Sequence, residues 1–382
     1  MKKSSVIFLR SNPVDPDSRV EKEVECLLKA GYDVKILAWE RKDKYKMKKS
    51  FLHLRNGQAE IYRFGIPAEF GAGKKNLKAF ILFQFRLFTW LLKNKKEYDI
   101  IHACDFDTAF TAYNVTKLVR KKLIFDIFDY LYTDTSGRNQ YFKKFIVHLQ
   151  HKIINAADGT IICTEERKNQ IRGSRPKRLE IIHNSPPSTA HGCLNKLQLD
   201  EKKVKIAYVG ILQDHRFLIE LAEVVREIPE CELHIGGFGK YENHFIEMSN
   251  KNRNILYYGK LPYQKTIELE SSCDIMTAIY DPSVEEHYYA APNKFYESLM
   301  LGKPIIMVEN TGMCNMVVQY NIGEVIKYNK QSLKEGIINL IKRKNEWPVI
   351  SKQMKDLYNQ YYSWSEMEKR LVKLYQDIEV QG

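Results

Sequence analysis

Long apolar runs are missing from this chain of 382 residues: no stretch reaches the roughly 18 that a membrane-crossing helix needs. The nearest approach, Ala79–Leu92, is broken by Gln84 and Arg86, which excludes a spanning segment. After Met1-Lys2-Lys3, only Val6–Leu9 is apolar before Arg10, too short for the core of a secretion signal. Cysteine pairing signals are missing as well. Seven cysteines are scattered without any C-x-x-C spacing, which argues against a disulfide framework or a zinc site and for the reducing cytoplasm. There is no internal sequence repeat. Hydrophobic residues reach 44% and charged residues 28%, so the chain folds as a globular protein rather than staying disordered, and its length suits two domains.

What is present is an excess of positive charge, and it is unevenly placed. Residues 1–190 hold 36 Lys and Arg against 21 Asp and Glu; residues 191–382 hold 24 against 26. An anionic partner for the first half alone, or a solvated lysine-rich face, would account for this. Helix-patterned residues 76–95 interleave Phe80, Phe83, Phe85, Phe88 and Trp90 with Lys75, Lys78, Arg86, Lys93, Lys95 and Lys96. That mixture suits the headgroup level of an anionic membrane, or burial of the same aromatics in a core. No nucleic-acid-binding module is present, and nucleic acid is not expected as a partner.

The first half alternates strand and helix patterns. Strands are expected at Val6–Arg10, Val34–Trp39, Ile61–Phe64, Ile100–Ala103, Leu123–Ile127 and Gly159–Cys163, with helices at 19–30, 76–95, 107–119 and 139–155. Arg41–Lys49 reads as exposed. A Pro/Ser-rich and then polar junction follows Asn184, after which the alternation restarts from Lys205–Val209. Two α/β domains with doubly wound parallel sheets are expected: residues 1–188, a linker 189–203, and residues 204–360. Residues 361–382 form a closing helix, with Ser363 and Glu366 at capping-box spacing.

One segment carries chemistry. In Pro292-Asn293-Lys294-Phe295-Tyr296-Glu297, followed by Gly302-Lys303-Pro304, a helix opens at Pro292 or Asn293 and closes at Gly302. Helix-terminal amides and Lys294 in the first turn favour a phosphate. Glu297, one turn on from Asn293, can accept hydrogen bonds from two vicinal hydroxyls such as those of a ribose. The same residues would also serve in an ordinary helix.

This segment resembles the nucleotide-sugar motif of the family 4 glycosyltransferases, which have the GT-B fold. Val209-Gly210-Ile211-Leu212-Gln213-Asp214-His215-Arg216 is similar to the glycine loop and basic residue opening that family's second domain. Asp99–Asp107 resembles its D-I-I-H-A-H-D segment; Asp17–Val20 with Gly31–Val34 resembles its first strand–loop–helix, and Ser363–Tyr375 its closing helix, which crosses back to the first domain. The resemblance implies two Rossmann-like domains facing a cleft, with the acceptor on the N-terminal side and the donor nucleotide on the other. It implies that Glu297 holds the donor ribose, that Arg216 and Lys294 lie near the diphosphate, and that Lys260 lies where the nucleobase is met; Asn293 is taken into the same donor site, and Gly210 would let the backbone approach closely.

Departures from the pattern bear on mechanism. Tyr289 stands where many members carry a second glutamate, and Phe128 where relatives often have histidine. Asp105 and Asp129, at strand ends, remain as catalytic groups that orient the acceptor hydroxyl, with loop capping as the other reading. His102 reads as structural. Asp105-Phe106-Asp107 spells the D-x-D of metal-dependent transferases of another fold but sits in the wrong domain, so no metal is expected. Glu242 replaces the third glycine after Gly237-Phe238-Gly239, against a dinucleotide site.

The expectation is a cytoplasmic glycosyltransferase, peripheral on the inner membrane face, that needs no cofactor beyond its nucleotide-sugar co-substrate. It would retain anomeric configuration and extend a glycan or lipid-linked glycan in surface-polysaccharide synthesis. A GT-B sugar-nucleotide epimerase, or a non-catalytic partner subunit of another transferase, are the alternatives.

Overall fold

In the computed structural model, which describes residues 3–14, 16–69, 73–132, 137, 139–187 and 195–380, the run Val6–Leu9 is wholly buried in a sheet. The backbone divides into two units, Met1–His183 with Met367–Gly382, and Asn184–Glu366. Of the expected linker 189–203, residues 189–194 lie outside the described residues, and 195–203 carry no regular element.

The first unit contains β1 (Ser5–Arg10), α1 (Ser18–Lys29), β2 (Asp33–Glu40), β3 (Lys48–Leu54), β4 (Gly57–Gly65), α2 (Leu77–Lys93), β5 (Ile100–Cys104), α3 (Asp105–Val119), β6 (Lys122–Ile127), α4 (Gln140–Ala156), β7 (Gly159–Ile162), α5 (Arg167–Gln170) and β8 (Leu179–Ile181). Its sheet runs β3-β4-β2-β1-β5-β6-β7-β8. β1 and β5 read as continuous buried runs because helices cover both faces of a parallel sheet. α1 starts where Asp17 accepts from the Val20 N–H at 3.3 Å and donates its own N–H to Glu21 at 2.7 Å. It stops before Gly31, whose φ of +87° needs no Cβ.

One strand departs from the expectation. Residues 48–54, partly within the stretch read as exposed, form β3, antiparallel to β4. Only Leu52 of β3 is buried, so the segment lacks an apolar alternation to detect. A lysine-rich edge strand also resists pairing with other chains. Asn56-Gly57 between β3 and β4 is the hairpin signal that hydropathy did not weigh.

The second unit contains β9 (Val204–Ile211), α6 (Leu218–Arg226), β10 (Cys231–Phe238), α7 (Glu242–Lys251), β11 (Ile255–Tyr257), α8 (Tyr263–Ser272), β12 (Ile275–Ala278), α9 (Glu285–Tyr288), α10 (Asn293–Leu301), β13 (Ile305–Val308), α11 (Cys314–Gln319), β14 (Gly323–Ile326), α12 (Lys330–Lys342) and α13 (Trp347–Leu357). The sheet order is β11-β10-β9-β12-β13-β14, all parallel. Numbered within the unit this is 3-2-1-4-5-6, the Rossmann order, with its reversal between β9 and β12. Leaving aside the edge strand β3, the first unit follows the same order, extended by one strand, and reverses between β1 and β5.

The last helix, α14 (Trp364–Glu379), opens where Ser363 Oγ accepts from the Glu366 N–H at 3.3 Å. From Met367 onward its residues belong to the first unit. Leu371, Leu374, Tyr375 and Ile378 are buried there. A Cβ on Gly159 would come within 3.0 Å of Ile378, so that glycine lets the helix lie close to β7. No described helix is long and apolar enough to cross a membrane.

Candidate active site

In the second unit the strand order reverses between β9 and β12, where such folds offer a crevice at the strand ends, and Gly210, Arg216, Lys294 and Glu297 lie there. Arg216 lies in the loop after β9, between His215 and Phe217, which both adopt positive φ. His215 fixes the loop through Asp281 at 2.7 Å. The Arg216 guanidinium stacks 3.9 Å from the centre of the Tyr280 ring, just beyond β12. Its Nη1 donates to His287 Nε2 at 3.2 Å. His287 Nδ1 donates to the Asp281 carbonyl at 2.8 Å, so Nε2 is left as the acceptor. Burial, and Arg216 beside it, hold the imidazole pKa below its ordinary value, consistent with that neutral form.

Lys294 sits in the first turn of α10, its Nζ 4.5 Å from the centre of the Tyr208 ring on β9. Burial pulls its pKa down, but Tyr208, Tyr280, Glu297 and Glu270 outweigh that, and the ammonium stays charged. Among the described residues neither Arg216 nor Lys294 forms an ion pair. Two cations therefore share two aromatic rings and have no carboxylate bonded to either. Aromatic faces hold a cation without neutralising it.

Gly210 is where Lys294 arrives. A Cβ there would lie 2.7 Å from Nζ, so the missing side chain makes room for the ammonium. Behind it, Gly237 at φ +140° packs so closely that a Cβ would meet the Gly210 carbonyl at 1.8 Å. Glu297 is buried one turn along α10, and burial, with the charge of Glu297, raises the pKa of the Tyr263 phenol beside it. Glu270, from α8, is buried near it; burial and the charge of Glu297 raise its pKa well above the usual carboxyl range. Asn293 opens α10 and is exposed; no side chain caps that terminus. Lys260 is exposed and lies 4.9 Å from the Phe238 ring centre, beside Gly259, which has nothing within 4 Å of a would-be Cβ.

In the first unit the corresponding reversal is filled differently. Asp105, at φ +65°, accepts the N–H groups of Phe128 at 2.9 Å and Asp129 at 3.0 Å, and its other oxygen bonds Arg10. Burial pushes its carboxyl up to about 7 against the pull of Arg10. All these bonds point inward, the geometry of a loop cap. Asp129 differs: its side chain is 76% exposed and only grazes Arg167 at 3.4 Å. Phe128 is held between Arg10 and Arg19, whose guanidinium carbons lie 4.2 and 4.8 Å from its ring centre. Beneath it Arg19 pairs with Asp126 at 2.9 Å and Glu23 at 3.2 Å. His102 is fully buried, stacked 4.1 Å from Phe8 and bonded to Tyr375 at 2.8 Å, the structural placement expected of it.

Two family descriptions match the chain in succession. Glycosyltransferase Family 4 matches residues 19–185, and Glycosyl transferases group 1 matches residues 194–361. Solved structures agree over the whole length. Sucrose-phosphate synthase from Thermosynechococcus elongatus is 14% identical with a TM-score of 0.77, covering 99% of this chain and 100% of its own. HepE of Anabaena, in complex with UDP and glucose, is 12% identical with a TM-score of 0.67, covering 98% and 99%. The lipopolysaccharide outer core galactosyltransferase WaaB, in its apo form, is 13% identical with a TM-score of 0.64, covering 97% and 99%. The chain is a glycosyltransferase of the GT-B fold. No curated protein sequence matches it.

Several residues around this glycosyltransferase's crevice escaped the sequence reading. Tyr208 and Tyr280 are strand or strand-end aromatics with no motif of their own, and Glu270 lies on a helix seven residues beyond Tyr263. Their meaning comes only from the crossing of β9, β12 and α10. On the first unit, α2 divides its aromatics. Phe83, Leu87 and Trp90 enter the core, while Leu77, Ile81, Leu82 and Phe85 stay exposed. α3 packs beside α2 and α4 beside α3. They add exposed Phe110, Leu118, Tyr141, Phe142 and Phe145.

Proposed function

We propose that this glycosyltransferase moves a sugar from a nucleotide-diphosphate donor to a glycan or lipid-linked glycan in cell-surface polysaccharide synthesis. The carrying observation is the pair Arg216 and Lys294, held on Tyr280 and Tyr208 at the strand reversal without a carboxylate bonded to either. When the glycosidic bond breaks, negative charge grows on the leaving diphosphate. Fixed cations and the uncapped first turn of α10 stabilise that charge more in the transition state than in the ground state. Glu297 accepts from the ribose hydroxyls, and its burial makes that bond strong. Lys260 and Gly259 flank the base. Asp129, the exposed carboxylate of the first unit, orients the acceptor hydroxyl, while Asp105 fixes the loop that carries it. The transfer proceeds with retention and without a metal, as the family resemblance implies, and on the front face, since no residue stands as an obvious covalent nucleophile.

HepE crystallised with UDP and with UDP-glucose supports a nucleotide-sugar donor, and the outer-core role in the name of WaaB supports a surface glycan as product class. The exposed apolar residues of α2 and α4, together with the basic excess of residues 1–190, support a site on the inner membrane face. Thermal stabilisation by UDP, GDP and their sugar conjugates tests the donor. A selective shift, lost in Glu297→Ala, is expected; no shift with any nucleotide at millimolar concentration would sink the reading. Liposome flotation tests the membrane part. It should require anionic lipid and weaken with salt, and failure to float at low salt would remove it.

A further inference from the structure

The second unit has a cavity of about 660 Å³ at the other end of its sheet. Asp274 and Pro304, just before β12 and β13, line it together with Gly302 at the end of α10. The donor crevice lies at the opposite strand ends, beyond the first turn of α10.

Four lysines line this cavity: Lys196, Lys303, Lys344 and Lys355. Among the described residues none of them forms an ion pair. Asp274 is the one acid in the lining, and it is already engaged by Lys205, whose N–H donates at 2.9 Å and whose ammonium lies at 3.1 Å. The carbonyl end of α10 also faces this side; the N–H groups of Gly302 and Lys303 bond two of its last four carbonyls, those of Leu299 and Ser298. Trp347 and Ser351, in the first turns of α13, form another wall, and no side chain caps that helix. The Trp347 indole N–H is spent on the Leu340 carbonyl at 3.1 Å, so the indole offers the cavity no hydrogen bond.

The positive charge here works against the fold. Lys303 is partly buried, and burial, with Lys196 and Lys355 nearby, lowers its ammonium pKa although Asp274 opposes. Like charges gathered around a cavity raise the energy of the unliganded protein, and an anion entering the cavity relieves it.

We infer that this cavity binds a small phosphorylated compound, its phosphate held by Lys303 and Lys355 with Lys196 and Lys344 at the rim, and its ring against Trp347. The site is separate from the donor crevice and does not depend on the donor assignment. The volume exceeds what inorganic phosphate needs and suits a sugar phosphate or a nucleotide.

Calorimetric titration of the full chain with inorganic pyrophosphate, and separately with a hexose phosphate, tests this. Saturable binding is expected to weaken about tenfold or more in the double variant Lys303→Gln, Lys355→Gln. It should persist in Arg216→Ala, Lys294→Ala, which removes the donor cations. Fluorescence should report the same event and lose that response in Trp347→Phe. Binding that disappears with the donor cations, or survives unchanged in the lysine variant, would overturn the inference, as would no binding of either probe. The melting temperature of Lys303→Gln should hold or rise, since repulsion is relieved; a clear fall would make Lys303 a structural residue instead.

Discussion

The two units reverse strand order in the same way, between β1 and β5 in one and between β9 and β12 in the other, yet they treat positive charge there in opposite fashion. In the first, Arg10 is bonded to Asp17 and Asp105, and Arg19 to Asp126 and Glu23. In the second, Arg216 and Lys294 rest on tyrosines and have no carboxylate bonded to them. A fold of this kind offers a crevice wherever the order reverses. Whether the crevice attracts an anion depends on whether its cations are already neutralised. The first unit uses its arginines to hold its own loops together; the second keeps its cations available.

The largest effect should come from breaking a pair in the first unit. Arg19→Met leaves Asp126 buried without its cation, and loss of a buried partner costs on the order of 3–5 kcal/mol. Urea unfolding should show it. Arg216→Met in the second unit gives up a cation–aromatic contact and the bond to the half-buried His287, together roughly 1–2 kcal/mol. Equal losses at the two sites would end the contrast.

The reverse holds for ligand. Lys294→Met and Glu297→Ala should each weaken nucleoside-diphosphate binding by roughly 1.5–3 kcal/mol, the scale of a hydrogen bond to a charged group. Asp105→Asn, in the first unit, should leave that affinity unchanged. Calorimetry on the three variants settles the comparison, and unchanged affinity in Glu297→Ala would remove the ribose assignment.

Much of this contrast was legible beforehand, and the illegible part has a physical reason. Apolar runs such as Val6–Leu9, and punctuation by Gly31 and Gly302, mark strands and helix ends because burial and positive φ each select a residue type. β3 was hidden because an edge strand has no buried face to advertise. Lys294 and Glu297 carry a helical spacing, and Arg216 ends a string that resembles the family's glycine loop, so they could be named; the tyrosines beneath the cations could not. Asp105 follows the end of β5, but no sequence says whether such a carboxylate turns outward or bonds the backbone of Phe128 and Asp129. The four lysines of the second cavity lie at positions 196, 303, 344 and 355, too far apart for any pattern.

A smaller effect probes how the second unit places its ammonium. In Gly210→Ala the new Cβ would sit 2.7 Å from Lys294 Nζ, so the flexible end of the lysine has to move. The backbone is not in a region reserved for glycine, so the fold should survive. Nucleotide affinity should fall by about 1 kcal/mol, close to fivefold, as the cation is displaced. A melting temperature that drops while affinity holds would mean that Gly210 serves packing rather than the placement of Lys294.

The smallest effect concerns how Arg216 is held without being neutralised. His287 accepts from Arg216 only while its Nε2 is unprotonated, and its pKa lies below the ordinary imidazole value because burial and the guanidinium disfavour a second charge. A histidine depressed in the folded state contributes stability that is present above the unfolded value near 6.5. That contribution is lost as pH falls through the folded pKa. His287→Gln keeps an acceptor toward Arg216 and a donor toward the Asp281 carbonyl but cannot titrate. Between about pH 7.5 and 5 the wild type should therefore lose more melting temperature than His287→Gln. The buried His102, His183 and His234 are common to both proteins and cancel in the difference. Parallel curves would mean that the Tyr280 ring alone holds Arg216, and that the contrast between the two crevices needs no neutral histidine.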